Sequence, residues 1–383
     1  MKRRINTKNT LIRVLITGAN GFIGKNLLVH MKELINIKIY ILLRNDNDSN
    51  LTNLISKTDV VIHLAGENRP KELEDFKKVN VDLTDKICNS IRKEFAKTNR
   101  KIKFILASSA QAEQNNEYGI SKLLAEQSVQ SLSNDLDIPV TIFRFPGVFG
   151  KWCKPNYNSV VATFCDNIVK NLPTKIRDPD FVISLVYIDD VVNKILEVIL
   201  SKHKGVNKAS VKPEYKITLG NLAKQIKAFK TSRINLTTEL VGNGLTRGLY
   251  ATYLSYLPKI NFSYKVSTHK DERGIFVEML KTNNSGQFSF FSAHPGITRG
   301  EHYHHTKSEK FLVIKGDALF RFRHIITNEI VQFRTNGETP EIVDTIPGWA
   351  HNVTNIGKSD LFVLLWANEN FDRTKPDTIA SKV

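Results

Sequence analysis

Tyr118 and Lys122 stand four positions apart in a run of helix-forming residues, so both project from one face of a helix. An ammonium beside a phenol favours the phenolate and lowers the phenol's pKa. Such a phenol can give a proton to a carbonyl oxygen as hydride reaches the carbon, or accept one in reverse. A place for the hydride donor lies upstream, in Thr17-Gly18-Ala19-Asn20-Gly21-Phe22-Ile23-Gly24. Its three glycines follow an apolar segment and open a helical one. That context suits a tight turn that lets a pyrophosphate reach the backbone and the free N–H groups of a helix N-terminus. Further along, His302 and His304 alternate on an expected strand, so their rings share one side.

The end of the second expected strand bears on the choice of dinucleotide. An acidic residue there would take the ribose hydroxyls of NAD. Leu43-Arg44-Asn45 instead offers a guanidinium, which can pair with the 2′-phosphate of NADP. Asp46 and Asp48 nearby keep NAD open.

Two scaffolds are needed to place these groups. Segments 13–17, 38–43, 59–65, 103–107 and 140–145 read as short apolar strands, with helices at 22–34, 80–96 and 118–132. This alternation predicts an α/β doubly wound Rossmann-type domain. Beyond about residue 255 the rhythm changes to short alternating segments at 274–280, 287–293, 310–314, 318–323, 330–334 and 361–366. Gly, Pro, Asn and Asp punctuate them, which predicts an all-β antiparallel barrel or jelly roll. The expected divisions are an N-terminal extension at 1–10, the dinucleotide-binding domain at 11–244, a connecting helix and linker at 245–260, and the all-β domain at 261–383.

A chain of 383 residues is long enough for two separate cores. No apolar run approaches the ~20 residues of a membrane-spanning helix. The run at 11–16 leads straight into the glycine loop and reads as a strand rather than a secretory signal. Cys88, Cys153 and Cys165 fit neither a disulfide framework nor a zinc knuckle, so a reducing cytoplasm is expected. The formal charge of +17 is scattered and lacks a groove-reading motif. It argues for a diphosphate-bearing substrate rather than nucleic acid.

Over most of residues 11–200 the chain resembles the extended short-chain dehydrogenases/reductases. Asp59-Val60-Val61-Ile62-His63-Leu64-Ala65-Gly66 is similar to their fourth-strand motif beside the adenine and ribose, and Val79-Asn80-Val81 to a helix carrying an Asn. The strings 144–150 and 187–190 match two later landmarks. The resemblance implies that Gly18, Asn20, Gly21, Phe22, Ile23, Gly24, Leu64, Ala65, Gly66 and Asn80 hold the cofactor, with Arg44, Tyr118 and Lys122 also touching it. It makes Tyr118 and Lys122 the catalytic pair and requires a hydroxyl at the end of the preceding strand. Ser109 is favoured there, with Ser108 as second choice. Ala110 and Gln111 stand where dehydratases of this superfamily carry an Asp-Glu pair, which favours reduction or 4-epimerisation over dehydration.

Gly296, His302, His304, Glu309 and Gly316, then Pro347, Gly348, His351 and Asn355, resemble the two cupin motifs. The resemblance implies a metal bound by His302, His304, Glu309 and His351, with zinc expected among Zn, Fe, Mn and Ni. A second resemblance overlaps it. The strings 271–278 and 299–303 are similar to the 3,5-epimerases of 4-keto-6-deoxyhexose nucleotides, whose histidine is a metal-independent base. His302 thus has two candidate roles, and Arg273 and Arg299 are expected to hold phosphate oxygens.

In the order of its two parts and in the strings 151–165 and 302–307, the chain resembles, almost end to end, bifunctional capsular polysaccharide enzymes of the CapF type. This implies that the cupin inverts carbon 3 of a UDP-4-keto-6-deoxy-N-acetylhexosamine. The reductase domain would then reduce the carbon 4 ketone with NADPH, giving UDP-N-acetyl-6-deoxy-L-talosamine on the way to UDP-N-acetyl-L-fucosamine. A homodimer is expected. Two alternatives stay open: an NAD-dependent 4-epimerase or dehydrogenase whose cupin only dimerises or senses a ligand, and a cupin oxygenase holding Fe(II).

Overall fold

Strand β1 (Ile12–Thr17) sends Val14 and Ile16 into one apolar cluster and Leu15 into another. A strand buried on both sides belongs in a parallel sheet with helices on each face. The computed structural model describes residues 11–70, 72–374 and 376–383, so the expected extension at 1–10 lies outside the described residues. The next strands are β2 (Ile37–Leu42), β3 (Val60–His63), β4 (Lys103–Ser109), β5 (Val140–Phe145), β6 (Gly147–Phe149), β7 (Val182–Tyr187), β8 (Val206–Ala209) and β9 (Tyr215–Thr218). A six-stranded parallel sheet has the order β2-β1-β3-β4-β5-β8, and a small sheet the order β6-β7-β9. Strand order reverses between β1 and β3, and a crevice at such a switch point is where α/β sheets bind nucleotides.

Helices α1 (Phe22–Lys32) and α2 (Asp48–Ser56) follow β1 and β2. Only α2 lies between β2 and β3, so the string 59–66, similar to a fourth-strand motif, sits on the third strand of this chain. Next, α3 (Glu74–Phe76) runs through a π-helical stretch, Lys77–Asp82, into α4 (Leu83–Thr98). The remaining helices are α5 (Glu117–Leu136), α6 (Val160–Val169), α7 (Ile188–Leu200), α8 (Leu219–Asn235) and α9 (Gly244–Ser255). Among the described residues no helix is long and apolar enough to cross a membrane.

The second half is β-rich: β10 (Thr237–Thr238), β11 (Thr268–Asp271), β12 (Gly274–Thr282), β13 (Gln287–Ala293), β14 (Thr298–Tyr303), β15 (Glu309–Lys315), β16 (Asp317–His324), β17 (Ile330–Asn336), β18 (Ile342–Asp344), β19 (Trp349–Asn355), β20 (Leu361–Ala367) and β21 (Ile379–Ala380). One sheet runs β10-β12-β13-β20-β15-β18 with β11 on β12; the other runs β17-β16-β19-β14-β21. Phe291, Phe311, Phe320, Val353 and Val363 fill the core of this cupin jelly roll. β14 and β19 fall outside the six segments expected from alternation. Polar side chains that turn into the barrel interrupt their apolar pattern (Arg299 and His302 on β14, His351 on β19).

The chain does not change unit at one point. Residues up to Ile226 group with Gly248–Tyr256, and Lys227–Arg247 with Leu257–Val383. The helix expected as a connector is α9, and most of it returns to the first unit. A Cβ at Gly248 would come 3.1 Å from both Phe149 and Tyr187, so a small residue permits this packing.

Candidate functional site

In the first unit the glycine loop closes as its residue types require. Gly18 has φ +68°, and a Cβ there would lie 2.5 Å from the Ala65 amide nitrogen. A Cβ at Gly24 would meet the Gly18 carbonyl oxygen at 2.3 Å. Asn20 and Gly21 are exposed at the start of α1, while Phe22 and Ile23 pack toward the core. The facing loop is fixed from below. The Ala65 amide donates to Thr17 Oγ1, and Thr17 Oγ1 sits 2.6 Å from His63 Nδ1. Burial, with Lys122 nearby, pushes His63 down to about 3, so this ring is a neutral brace. Asn80 lies in the π-helical stretch and is buried. Its amide accepts from the Glu67 amide nitrogen and donates to the Glu67 carbonyl and Ser121 Oγ, tying the loop to α5.

The catalytic candidates meet at the ends of β4 and α5. The Ser109 hydroxyl is near enough to the Tyr118 phenol to lower its pKa, and the Gln111 backbone amide donates to Ser109 Oγ. Ser108 points away to buried Glu126, which also pairs with Arg144; Arg144 in turn reaches Glu113. The second-choice serine is therefore committed to an ion-pair network. Lys122 Nζ donates to the Ala107 carbonyl at 3.3 Å, and a Cβ at Gly66 would approach it to 2.7 Å. Burial brings Lys122 down to about 8, which leaves it mostly cationic at pH 7. The phenol departs from the sequence expectation: burial holds Tyr118 above its ordinary value, with the Ser109 hydrogen bond opposing. Lys122 Nζ is 6.0 Å from the Tyr118 ring centre.

Arg44 lies just past β2 with its side chain 78% exposed and 3.8 Å from Glu67 Oε2. Sequence reasoning missed Glu67. Burial pushes its carboxyl up, but the Tyr157 hydroxyl, the Arg69 and Asn68 amides and Arg44 together bring it below its ordinary value.

In the second unit His302 and His351 are direct partners across β14 and β19. Their ring centres are 4.6 Å apart, with His304 4.9 Å from His302. Glu309 opens β15, and one donor atom from each of the four residues lies within 4.8 Å of all the others. The donors fit a divalent ion. His351 has both ring nitrogens buried without a hydrogen-bond partner, and a coordinate bond would satisfy one of them. His302 is pushed down to about 4 by burial and by His351, so it is neutral at pH 7. Burial pushes Glu309 up, yet His304 and His351, at 3.3 and 3.4 Å from its Oε2, and Lys307, at 2.8 Å from its Oε1, hold it well below the usual range. His305, of opposite parity, is exposed.

A cavity of about 580 Å³ opens onto His302 and Glu309. Arg273 and Arg299 line it: Arg273 pairs with Asp271, and Arg299 donates to the Ser292 carbonyl at 2.9 Å. Sequence reasoning missed Lys281, Lys307 and Arg373, three more cations on the wall. Phe371, Arg373 and Thr378 follow the last barrel strand of the cupin motifs, in a segment without a motif of its own.

Residues 14–212 match the model of the NAD dependent epimerase/dehydratase family. The chain belongs to that family. Its members' cofactor is a nicotinamide dinucleotide, which agrees with the glycine loop at the sheet's switch point. Residues 269–379 match the polysaccharide biosynthesis C-terminal domain. The chain is 52% identical over 372 residues to UDP-2-acetamido-2,6-beta-L-arabino-hexul-4-ose reductase of Pseudomonas aeruginosa, covering 97% of this chain and 99% of that one. The crystal structure of the capsular polysaccharide assembling protein CapF from Staphylococcus aureus superposes with a TM-score of 0.88 at 39% identity, covering 97% of this chain and 100% of that one. UDP-glucuronic acid 4-epimerase from Bacillus cereus, solved with NAD, shares the fold of the first unit, with a TM-score of 0.52 at 18% identity over 64% of this chain and 98% of that one.

Proposed function

We propose that this chain is a bifunctional sugar-nucleotide enzyme of polysaccharide precursor synthesis. In this reading the second unit inverts carbon 3 of a UDP-4-keto-6-deoxy-N-acetylhexosamine. The first unit then reduces the carbon 4 ketone with NADPH to UDP-N-acetyl-6-deoxy-L-talosamine. The observation that carries it is the pairing of two chemistries in one chain: Ser109 against Tyr118 beside Lys122, and a cation-lined cavity opening onto a neutral His302. The name of the Pseudomonas relative, a reductase of a UDP-linked hexul-4-ose, supports the reduction.

In the first unit Ser109 and Tyr118 would hold the ketone oxygen, and the phenol would give it a proton as hydride arrives at carbon 4. In the second, the same ketone acidifies the carbon 3 proton. Arg273 and Arg299 suit the diphosphate, and His302 presents a lone pair either to that proton or to a metal. A divalent ion bound by the four residues would act as a Lewis acid toward the ketone. Reduction removes the activation and fixes the new configuration, which accounts for two unrelated folds in one chain.

Incubating the full chain with NADPH and the UDP-linked 4-keto sugar should give a 4-hydroxyl product with inverted carbon 3. A reduced product that keeps its carbon 3 configuration would leave the cupin without this role. For the cofactor, Arg44→Ala should lose about tenfold in NADPH affinity, the size of one charge-assisted pair. NADH affinity should hardly change. Titration of both dinucleotides tests this, and unchanged NADPH binding removes Arg44 as the 2′-phosphate reader.

A further inference from the structure

The turn that follows His304 is fastened to a residue far along the chain. Asp377 Oδ1 accepts from the His305 amide at 2.9 Å. Its Oδ2 accepts from the Thr306 amide at 2.7 Å, Thr306 Oγ1 at 3.0 Å and the Lys307 amide at 2.8 Å. Four donors around one carboxylate leave the turn little freedom. The same residue reaches the ring as well: the Asp377 carbonyl oxygen is 2.5 Å from His304 Nδ1. A carbonyl can only accept, so the proton of this contact sits on Nδ1, and Nε2 is the nitrogen turned to the other candidate ligands. That Nε2 faces Glu309 Oε2 at 3.3 Å, on the side where the four donor atoms converge.

The chain beyond Asp377 continues the fastening. β21 pairs with β14, setting Ile379 opposite Tyr303 and Ala380 opposite His302. The Ser381 amide donates to the Glu301 carbonyl at 2.9 Å, and the Val383 amide to Glu301 Oε2 at 2.9 Å. Glu301 has φ +64°, at the bulge that shifts β14 against β19 just before His302. A non-glycine residue keeps such a backbone only where its surroundings hold it.

We infer that Asp377 is a positioning residue of the His302–His304–Glu309–His351 centre, selecting the His304 tautomer and fixing the ring's direction through the C-terminal segment. The inference rests on the reading of that centre as a metal site. It extends the site to a residue 73 positions beyond His304, where nothing in the cupin motifs points. Groups that orient metal-binding histidines typically change metal affinity roughly 10–100-fold when removed.

The test uses the full chain, zinc and a chelator of known affinity. Asp377→Ala keeps the carbonyl but frees the 305–307 turn that holds it against His304, and should bind zinc roughly 10–100-fold more weakly than the parent. Its cobalt-substituted form should show an altered visible absorption spectrum. Asp377→Asn, which keeps one acceptor oxygen, should recover part of the affinity, and NADPH binding should stay at the parent level in both. Wild-type zinc affinity in the Asp377→Ala variant overturns the inference alone. A parent chain that takes up no zinc overturns the metal reading, and the inference with it. A second measurement needs no variant: imidazole ¹⁵N shifts of the zinc-loaded chain should show His304 protonated at Nδ1 and coordinated through Nε2. The opposite tautomer overturns the assignment.

Discussion

Tyr118→Phe should slow ketone reduction roughly 10²–10⁴-fold, the range for loss of a positioned proton donor. The ring stays, so packing against Phe76 and the fold of α5 should persist. NADPH binding should therefore survive. If the proposed division of labour holds, exchange of the carbon 3 proton with deuterated solvent should continue, because the phenol belongs to the first unit and His302 to the second. Stopped-flow oxidation of NADPH reads the first effect, and mass spectrometry of the sugar nucleotide reads the second. A folded Tyr118→Phe chain that loses both activities would count against two independent sites. One that still reduces the ketone at the parent rate would remove Tyr118 as the proton donor.

The second large effect is expected from chelation. An ion that binds only the folded state at a hundredfold excess over its Kd stabilises it by about 2.7 kcal/mol. For a unit of this size that is roughly 5–10 °C in melting temperature. Chelation should lower the second unit's melting by about that much and stop carbon 3 exchange. NADPH binding should persist, since the candidate ligands lie outside the first unit. Reduction of the starting ketone should fall too, because the epimerised ketone would no longer be supplied, and zinc should restore both. Full turnover by metal-free protein would return His302 to the role of a proton-abstracting base. Metal content of His302→Asn then separates the two: retained metal points to a base, lost metal to a ligand.

What could be read in advance follows from how locally each feature is specified. Gly18 and Gly24 are legible because backbone approach forbids a side chain at those positions. The Tyr118–Lys122 pair and the His302–His304 pair are legible because helix and strand periods place them on one side. Ser108 and Ser109 could not be separated by period alone. The choice depends on buried Glu126, 18 residues beyond Ser108, which takes the first serine. Desolvation of Tyr118 is likewise a property of packing, and it reversed the expected direction of the phenol's shift. Asp377 and Arg373 carry no period or spacing at all. Their meaning appears only when the chain folds back along β14 and the cavity wall.

The interleaving of the two units limits how such a chain can be taken apart or recombined. A cut after Ile226 removes Gly248–Tyr256 from the first unit. A cut after Tyr256 takes Lys227–Arg247 from the second, including β10 and its pairing with β12. No single crossover point yields two intact cassettes. A gene fusion that borrows either half must therefore carry a piece of the other unit with it, or leave a hole in the one it borrows.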